Sequence, residues 1–342
     1  MKKLFLAAGA ALALLASCNK ETEMINPTPE ARPDGASVTI TLSAGDDAQT
    51  RAFFDATATA EAWEKTLSSL SVFTFNTSGD LLLRRDFTVS ELASKSATFS
   101  LPKSAAGTEC SFYAVANYDA SSAKTRSALT ALVEKSAGDY NGTFADVSTK
   151  ALRSGGFVMS GSTTKTVGAV NTSTQVGITL KRTVAKVALQ TSIDPEFSEK
   201  YPGSITINSM KLSRAASQSL IVAGTPSTGT MTYTHTQTPG TASSKYNSLF
   251  YVYETGTLDA GSRVLLEINA TYDSDGSSST SDDRSDVTYS IELTGKAAGQ
   301  ILRNGYYRVA ANITGLVGQD CQVSVTVADW VTPVTQSVDL GA

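Results

Sequence analysis

This chain of 342 residues has one histidine, His235, and three cysteines, Cys18, Cys110 and Cys321. With no second histidine, and no cysteine at ligand spacing beside His235, a zinc site and a histidine-dependent triad both lack parts. No glycine-rich loop opens a helix where a phosphate would sit. An excess of positive charge is lacking too. The 28 lysines and arginines stand against 32 aspartates and glutamates, for a net charge of −4 and no basic field to hold a nucleic-acid backbone. Cysteine is too sparse for a disulfide framework in a chain this long, so the fold must rest on a hydrophobic core. Long helical periodicity and short internal repeats are missing as well. The sequence presents no catalytic, cofactor-binding or metal-ligating set and does not read as an enzyme.

The start of the chain is distinctive. Lys2 and Lys3 precede an apolar run from Leu4 to Ala16, and small residues lead into Cys18. A charged start, an apolar middle and a small-residue end describe an export signal rather than part of a fold. The run is too short to span a bilayer, which takes about 20 apolar residues. Leu15-Ala16-Ser17-Cys18 resembles a bacterial lipobox, which implies a signal peptide over 1–17 and a diacylated Cys18 as first mature residue. Acyl chains contribute about 0.8 kcal/mol per buried CH₂, so several on one residue make a lasting anchor. Residues 19–37 hold prolines, charges and few large apolar side chains, as a tether does.

Beyond the tether the pattern is that of strands. Val38-Thr39-Ile40-Thr41-Leu42 alternates with period two, and Leu70–Phe75, a turn at Asn76–Asp80 and Leu81–Leu83 form a hairpin. Cys110–Asn117 is a further strand. Residues 176–190 are two apolar runs joined by Lys181-Arg182, read as the passage between two domains. Strands follow near 204–212, 247–253, 263–272, 286–294, 305–313 and 321–328. Two helix candidates interrupt them, one around Leu129, Leu132 and Val133 and a weaker one over 57–65. The expected architecture is mainly β: two β-sandwich domains, transthyretin-like or immunoglobulin-like, over 52–182 and 183–342, with one or two short helices. Cys110 and Cys321 fall in different halves and are expected to be buried free thiols.

Three local features invite a functional reading. The acidic stretch Asp273, Asp275, Asp282, Asp283 and Asp286 lacks the ligand positions and closing glutamate of an EF-hand loop, and reads as a solvated hairpin loop. Tyr246, Phe250, Tyr251 and Tyr253 suit a strand with two buried faces and also a sugar platform, which would make the chain a monomeric glycan-binding surface lipoprotein. His235, in a polar segment, reads as an ordinary exposed residue.

Several segments in order resemble the fimbrillin family of Bacteroidetes, the major subunits of type V pili. They are the lipobox, Thr50-Arg51-Ala52, the Leu70–Phe75 strand, Phe112–Asn117, Phe157–Ser160, Arg182–Val187, Asn304–Val309 and the closing 323–330 strand. The resemblance implies an outer-membrane lipoprotein that becomes part of a cell-surface fimbrium. It implies that an arginine-specific protease removes the segment 18–51, cutting between Arg51 and Ala52, and that a neighbour's strand enters the vacated groove. Arg32 is the poorer substrate, being followed by Pro33. Val38, Ile40 and Leu42 would then plug the groove, their burial worth roughly 1.5–3 kcal/mol each. Residues 331–340, with Val334, Val338 and Leu340, would be the donor strand, since Pro333 keeps the segment out of a central ladder. Implied partners are other pilin subunits, the outer membrane through the lipid anchor, the protease, and a host protein or glycan.

Overall fold

The computed structural model describes residues 35–44, 54, 60–135, 137–226, 230–236, 245–277, 279–294, 298–317, 326–329 and 339–340. The first half contributes β1 (Ala36–Ala44), β2 (Leu70–Phe75), β3 (Leu81–Asp86), β4 (Ser96–Leu101), β5 (Glu109–Ala116), β6 (Val133–Glu134), β7 (Met159–Thr166) and β8 (Ser173–Arg182). The second contributes β9 (Val184–Ile193), β10 (Ser204–Ala216), β11 (Ser219–Leu220), β12 (Thr230–Thr236), β13 (Tyr246–Tyr253) and β14 (Leu265–Asp273). It continues with β15 (Arg284–Glu292), β16 (Gly305–Ile313), β17 (Thr326–Asp329) and β18 (Asp339–Leu340). Four short α-helices lie among them: α1 (Val89–Ser94), α2 (Arg126–Thr130), α3 (Phe144–Val147) and α4 (Phe197–Lys200). None of the described helices is long and apolar enough to cross a membrane.

The fold is mainly β, in two sandwich-like halves. The first sheet has the order β3-β2-β5-β7-β8-β1-β4, and the second begins β15-β14-β10-β13-β9-β16-β17, with β12 on β10 and β18 on β16. β7 and β8 pair only at Met159–Ser160 with Lys181–Arg182, so the first sheet folds over at that seam. Gly161 permits it, because a Cβ there would meet the Thr179 carbonyl oxygen at 2.2 Å. One continuous core runs through both halves. It joins Val38, Ile40, Val72, Phe99, Phe112 and Ile178 to Val187, Leu189, Phe250 and Val309.

Local sequence explains the strands. Every other residue of β8 is buried, which is the half-buried pattern expected of a sandwich face. β2 is buried on both faces because a second cluster, including Leu129 of α2 with Ile221 and Val222, covers Phe73 and Phe75. The β2–β3 turn has Gly79 at φ +89, and Asn76 Oδ1 accepts the Asp80 amide at 2.9 Å. Asn117 ends β5 in the left-handed region (φ 58). Its side chain accepts from the Ser68 amide at 2.8 Å and donates to the carbonyls of Thr66 (2.8 Å) and Phe157 (2.7 Å).

Two helix expectations shift. α2 stops at Thr130, and Val133 belongs to β6, which pairs with β11 of the other half. Within 57–65 the described helical part is one 3₁₀ turn, Trp63–Lys65. β8 ends at Arg182 and β9 begins at Val184, with Thr183 between them.

Candidate functional site

β1 is the first of the described strands, yet it lies inside its sheet. It runs parallel to β8, from Ser37 opposite Ser173 to Ala44 opposite Leu180, and antiparallel to β4, from Ala36 opposite Leu101 to Thr41 opposite Ser96. Period-two alternation puts Ala36, Val38, Ile40 and Leu42 inward, with 0, 0, 0 and 4% of their surface exposed. Ala97, Phe99 and Leu101 of β4 and Val176, Ile178 and Leu180 of β8 share their core. At roughly 1.5–3 kcal/mol each, Val38, Ile40 and Leu42 supply about 4.5–9 kcal/mol of burial.

The outer face of β1 is held lightly. Thr39 Oγ1 bonds Thr98 Oγ1 at 2.9 Å and Ser43 Oγ bonds Thr179 Oγ1 at 3.0 Å. Ser96 Oγ donates to the Ile40 carbonyl at 3.1 Å. Ala-Ser-Val-Thr-Ile-Thr-Leu-Ser-Ala contains no ionisable side chain. Its seat is therefore apolar packing and main-chain hydrogen bonds, both of which any strand of matching alternation can reproduce.

β4, on one flank, is led in by α1. Thr88 and Glu91 form a reciprocal capping box at the helix start, and Lys95 ends it at φ 53. The Leu42 amide donates to the Lys95 carbonyl at 2.9 Å. Buried Arg85 of β3 pairs with Glu91 at 2.8 Å.

The junction between halves is built differently, from buried charge. Glu64, fully buried, accepts from Lys186 Nζ of β9 at 2.8 Å and from the Tyr251 hydroxyl at 2.7 Å. Arg182 donates to the Glu64 carbonyl at 2.9 Å and to Asn304 Oδ1 at 2.8 Å. Burial pushes the Glu64 carboxyl up, but Lys186, Arg182 and the two hydrogen bonds outweigh it, and the carboxyl titrates below its ordinary range. Glu134 goes the other way. Burial raises it, and the Tyr140 hydroxyl (2.5 Å), the Thr183 hydroxyl (2.7 Å) and Arg153 (3.4 Å) do not offset that. A third node joins Arg303 to Glu254 and to the Ile221 carbonyl at 3.1 Å.

The other features take their places around this frame. Phe250, Tyr251 and Tyr253 are buried and Tyr246 is half-buried, so the aromatic cluster is core and offers no sugar platform. His235 is in β12, opposite Met210 of β10. Asp273, Asp275 and Asp283 bring one oxygen each within 4.8 Å of one another at the β14–β15 hairpin tip. The hairpin's own donors hold them: Arg284 on Asp273 (3.0 Å), Thr280 and the Ser277 amide on Asp275, and Ser274 and the Asp275 amide on Asp283. Cys110 is a buried free thiol, pushed up by burial. Cys18, Arg51, Ala52, Cys321, Val334 and Val338 lie outside the described residues. Leu340 is in β18, which runs parallel to β16 with Asp339 opposite Asn312 and Leu340 opposite Ile313.

No curated protein matches the chain in sequence. Solved structures share its fold. A candidate cell adhesion protein of Bacteroides eggerthii is 18% identical over 92% of this chain and 100% of its own, with a TM-score of 0.58. A candidate cell adhesion protein of Parabacteroides distasonis is 14% identical over 89% and 99%, with a TM-score of 0.56. The C-terminally truncated tip fimbrial protein Mfa3 of Porphyromonas gingivalis is 14% identical over 86% and 99%, with a TM-score of 0.51. The family model for the major fimbrial subunit protein, FimA, matches residues 36–193, which is β1 through β9 and includes the strand just described. Over those residues the chain is similar to the FimA major fimbrial subunit family.

Proposed function

We propose that this chain is a structural subunit of a type V pilus that serves cell adhesion. In this reading it is exported to the outer membrane as a lipoprotein acylated at Cys18. An arginine-specific protease cuts between Arg51 and Ala52, β1 leaves, and a neighbouring subunit's strand takes its place. The carrying observation is the position of β1: first among the described strands, interior in the sheet, neutral, and followed in sequence by Arg51 before the next described strand. Losing it would unpair β4 and β8 along facing edges, and unpaired edges favour strand addition. The fimbrial family match over the same residues supports the reading.

The incoming strand has a defined task. It must run parallel to β8 and antiparallel to β4 and present small and branched apolar residues to the seats of Val38, Ile40 and Leu42. Residues 331–340, with Val334, Val338 and Leu340, are the proposed donor. Among the described residues, two of this segment, Asp339 and Leu340, pair with β16 of their own subunit. Partners are then further copies and related fimbrial subunits, the processing protease, and a host protein or glycan for the assembled fibre.

Truncation after Thr332 tests the donor assignment. The shortened chain should be exported, cleaved and folded with an unchanged melting temperature, yet form no filaments under the electron microscope. Normal filaments, or a collapsed melting temperature, would show that the tail is not the donor.

A further inference from the structure

The proposed cleavage separates β1 from the rest of the chain, and something must hold the new end of the mature subunit. Phe54 stands three residues beyond Arg51. Arg308 of β16, only 4% exposed, donates from Nη2 to the Phe54 carbonyl at 2.7 Å. Its guanidinium carbon lies 4.7 Å from the centre of the Phe54 ring. One side chain thus takes both the backbone and the ring of the same residue. A guanidinium is always charged, and its flat face suits an aromatic ring while its edge donates to a carbonyl.

Farther along, the same stretch is fixed a second time. Glu64 is bound by Lys186, Tyr251 and Arg182, and the Trp63 ring lies 5.9 Å from Phe157 and 6.4 Å from Tyr251. Every one of these partners lies in β8, β9, β13 or β16, or in the Phe157 segment before β7. None is in β1. β1, on one side of Arg51 in sequence, is seated between β4 and β8, whereas Phe54 on the other side is seated on the second sheet.

We propose that Arg308 is the anchor of the mature N-terminus. It holds Phe54 so that the released piece contains β1 and nothing beyond the cut, and it shields the new end from further proteolysis. Arg308 is a positioning residue, acting on where the chain is held rather than on the cutting. The consequence rests on the processing reading above, but the contact itself is testable in the uncut protein.

Chymotrypsin is the probe, because it needs the phenylalanine ring free for its pocket and the carbonyl free for its oxyanion hole. On the full uncut chain, cleavage after Phe54, read by mass spectrometry, should be at least tenfold slower than in a free peptide of residues 50–58. Arg308→Ala should bring that bond to the peptide's rate, and Arg308→Lys, which keeps the charge, should fall between. Cutting after Phe54 in the wild-type chain at the peptide's rate overturns the proposal, whether or not the variants fold. In a second arm the chain is first cut by an arginine-specific protease and then given an aminopeptidase. Trimming should stop at Phe54 in the wild type and pass it in Arg308→Ala; trimming past Phe54 in the wild type also overturns the anchor. Absence of any cut at Arg51 contradicts the processing reading and leaves the chymotrypsin result standing.

Discussion

β8 and β9 are consecutive strands, and each has one long parallel neighbour paired to it over eight residues: β1 beside β8, β16 beside β9. Both neighbours are interior; β1 buries one face, and β16 buries most of its residues on both. Their attachments differ in kind. β1 is neutral and is fixed by apolar side chains, ladder bonds and a few hydroxyls. β16 carries Arg308, which holds Phe54, and packs Tyr306 with its ring 5.4 Å from the Lys186 ammonium, itself bound to Glu64. A strand held by apolar packing leaves behind a groove that another apolar strand can fill. Withdrawing one that completes a buried charge network would leave charges without partners, at several kcal/mol. The two ladders match in length, so in the proposed exchange what would separate the strand that leaves from the one that stays is buried charge.

Four changes test that contrast, in descending order of effect. Lys186→Met leaves Glu64 buried without its cation and should cost about 3–5 kcal/mol in chemical unfolding, both in the uncut chain and after β1 has gone. Ile40→Ala should cost about 2–5 kcal/mol in the uncut chain and nothing in the cleaved subunit. An equal loss before and after cleavage would mean that β1 is not the part removed.

Acid should act on the second ladder and spare the first. The Glu64 carboxyl sits below its ordinary 4.5, so its contribution is present above that pH and is lost as pH falls from there through the folded value. Glu134, raised by burial, contributes in the opposite sense: its share is present at low pH and fades as pH rises through the folded value. Glu64→Gln should therefore be less stable than the wild type at neutral pH and lose less on acidification; the comparison is urea unfolding at pH 7 and pH 4. β1 has no titratable group and should add nothing to the difference. Thr88→Ala, which removes the cap of α1 beside β4, is the smallest expected effect at about 1 kcal/mol, measured by the same unfolding.

Much of this is legible in the sequence, and the gaps have physical causes. Alternation in 38–42 marks β1, and the two apolar runs around Lys181-Arg182 mark β8 and β9, because half-buried and fully buried strands differ in period. β7 gives no such mark, since Met-Ser-Gly-Ser-Thr-Thr-Lys-Thr is mostly polar and carries no apolar alternation. β4 is faint for a similar reason, with small and hydroxyl residues around Phe99 and Leu101. The spacing of Thr88 and Glu91 is a capping signal that locates α1 once it is looked for. The Glu64–Lys186 pair has no such signal. Its members are 122 positions apart, and charged residues in isolation read as solvated. Arg308 stands inside a recognisable segment, Asn304–Val309, but only the fold reveals that it reaches Phe54.

Whether β1 is the strand that leaves, to be replaced by a neighbour's, is tested most directly on the fibre itself. Filaments would be sheared from the cell surface, dissociated, and measured by intact-mass and peptide mass spectrometry. The expected result is chains beginning at Ala52, with no peptide from Ala36–Ala44 in the fibre. Filaments whose subunits still carry Ala36–Ala44 would contradict it.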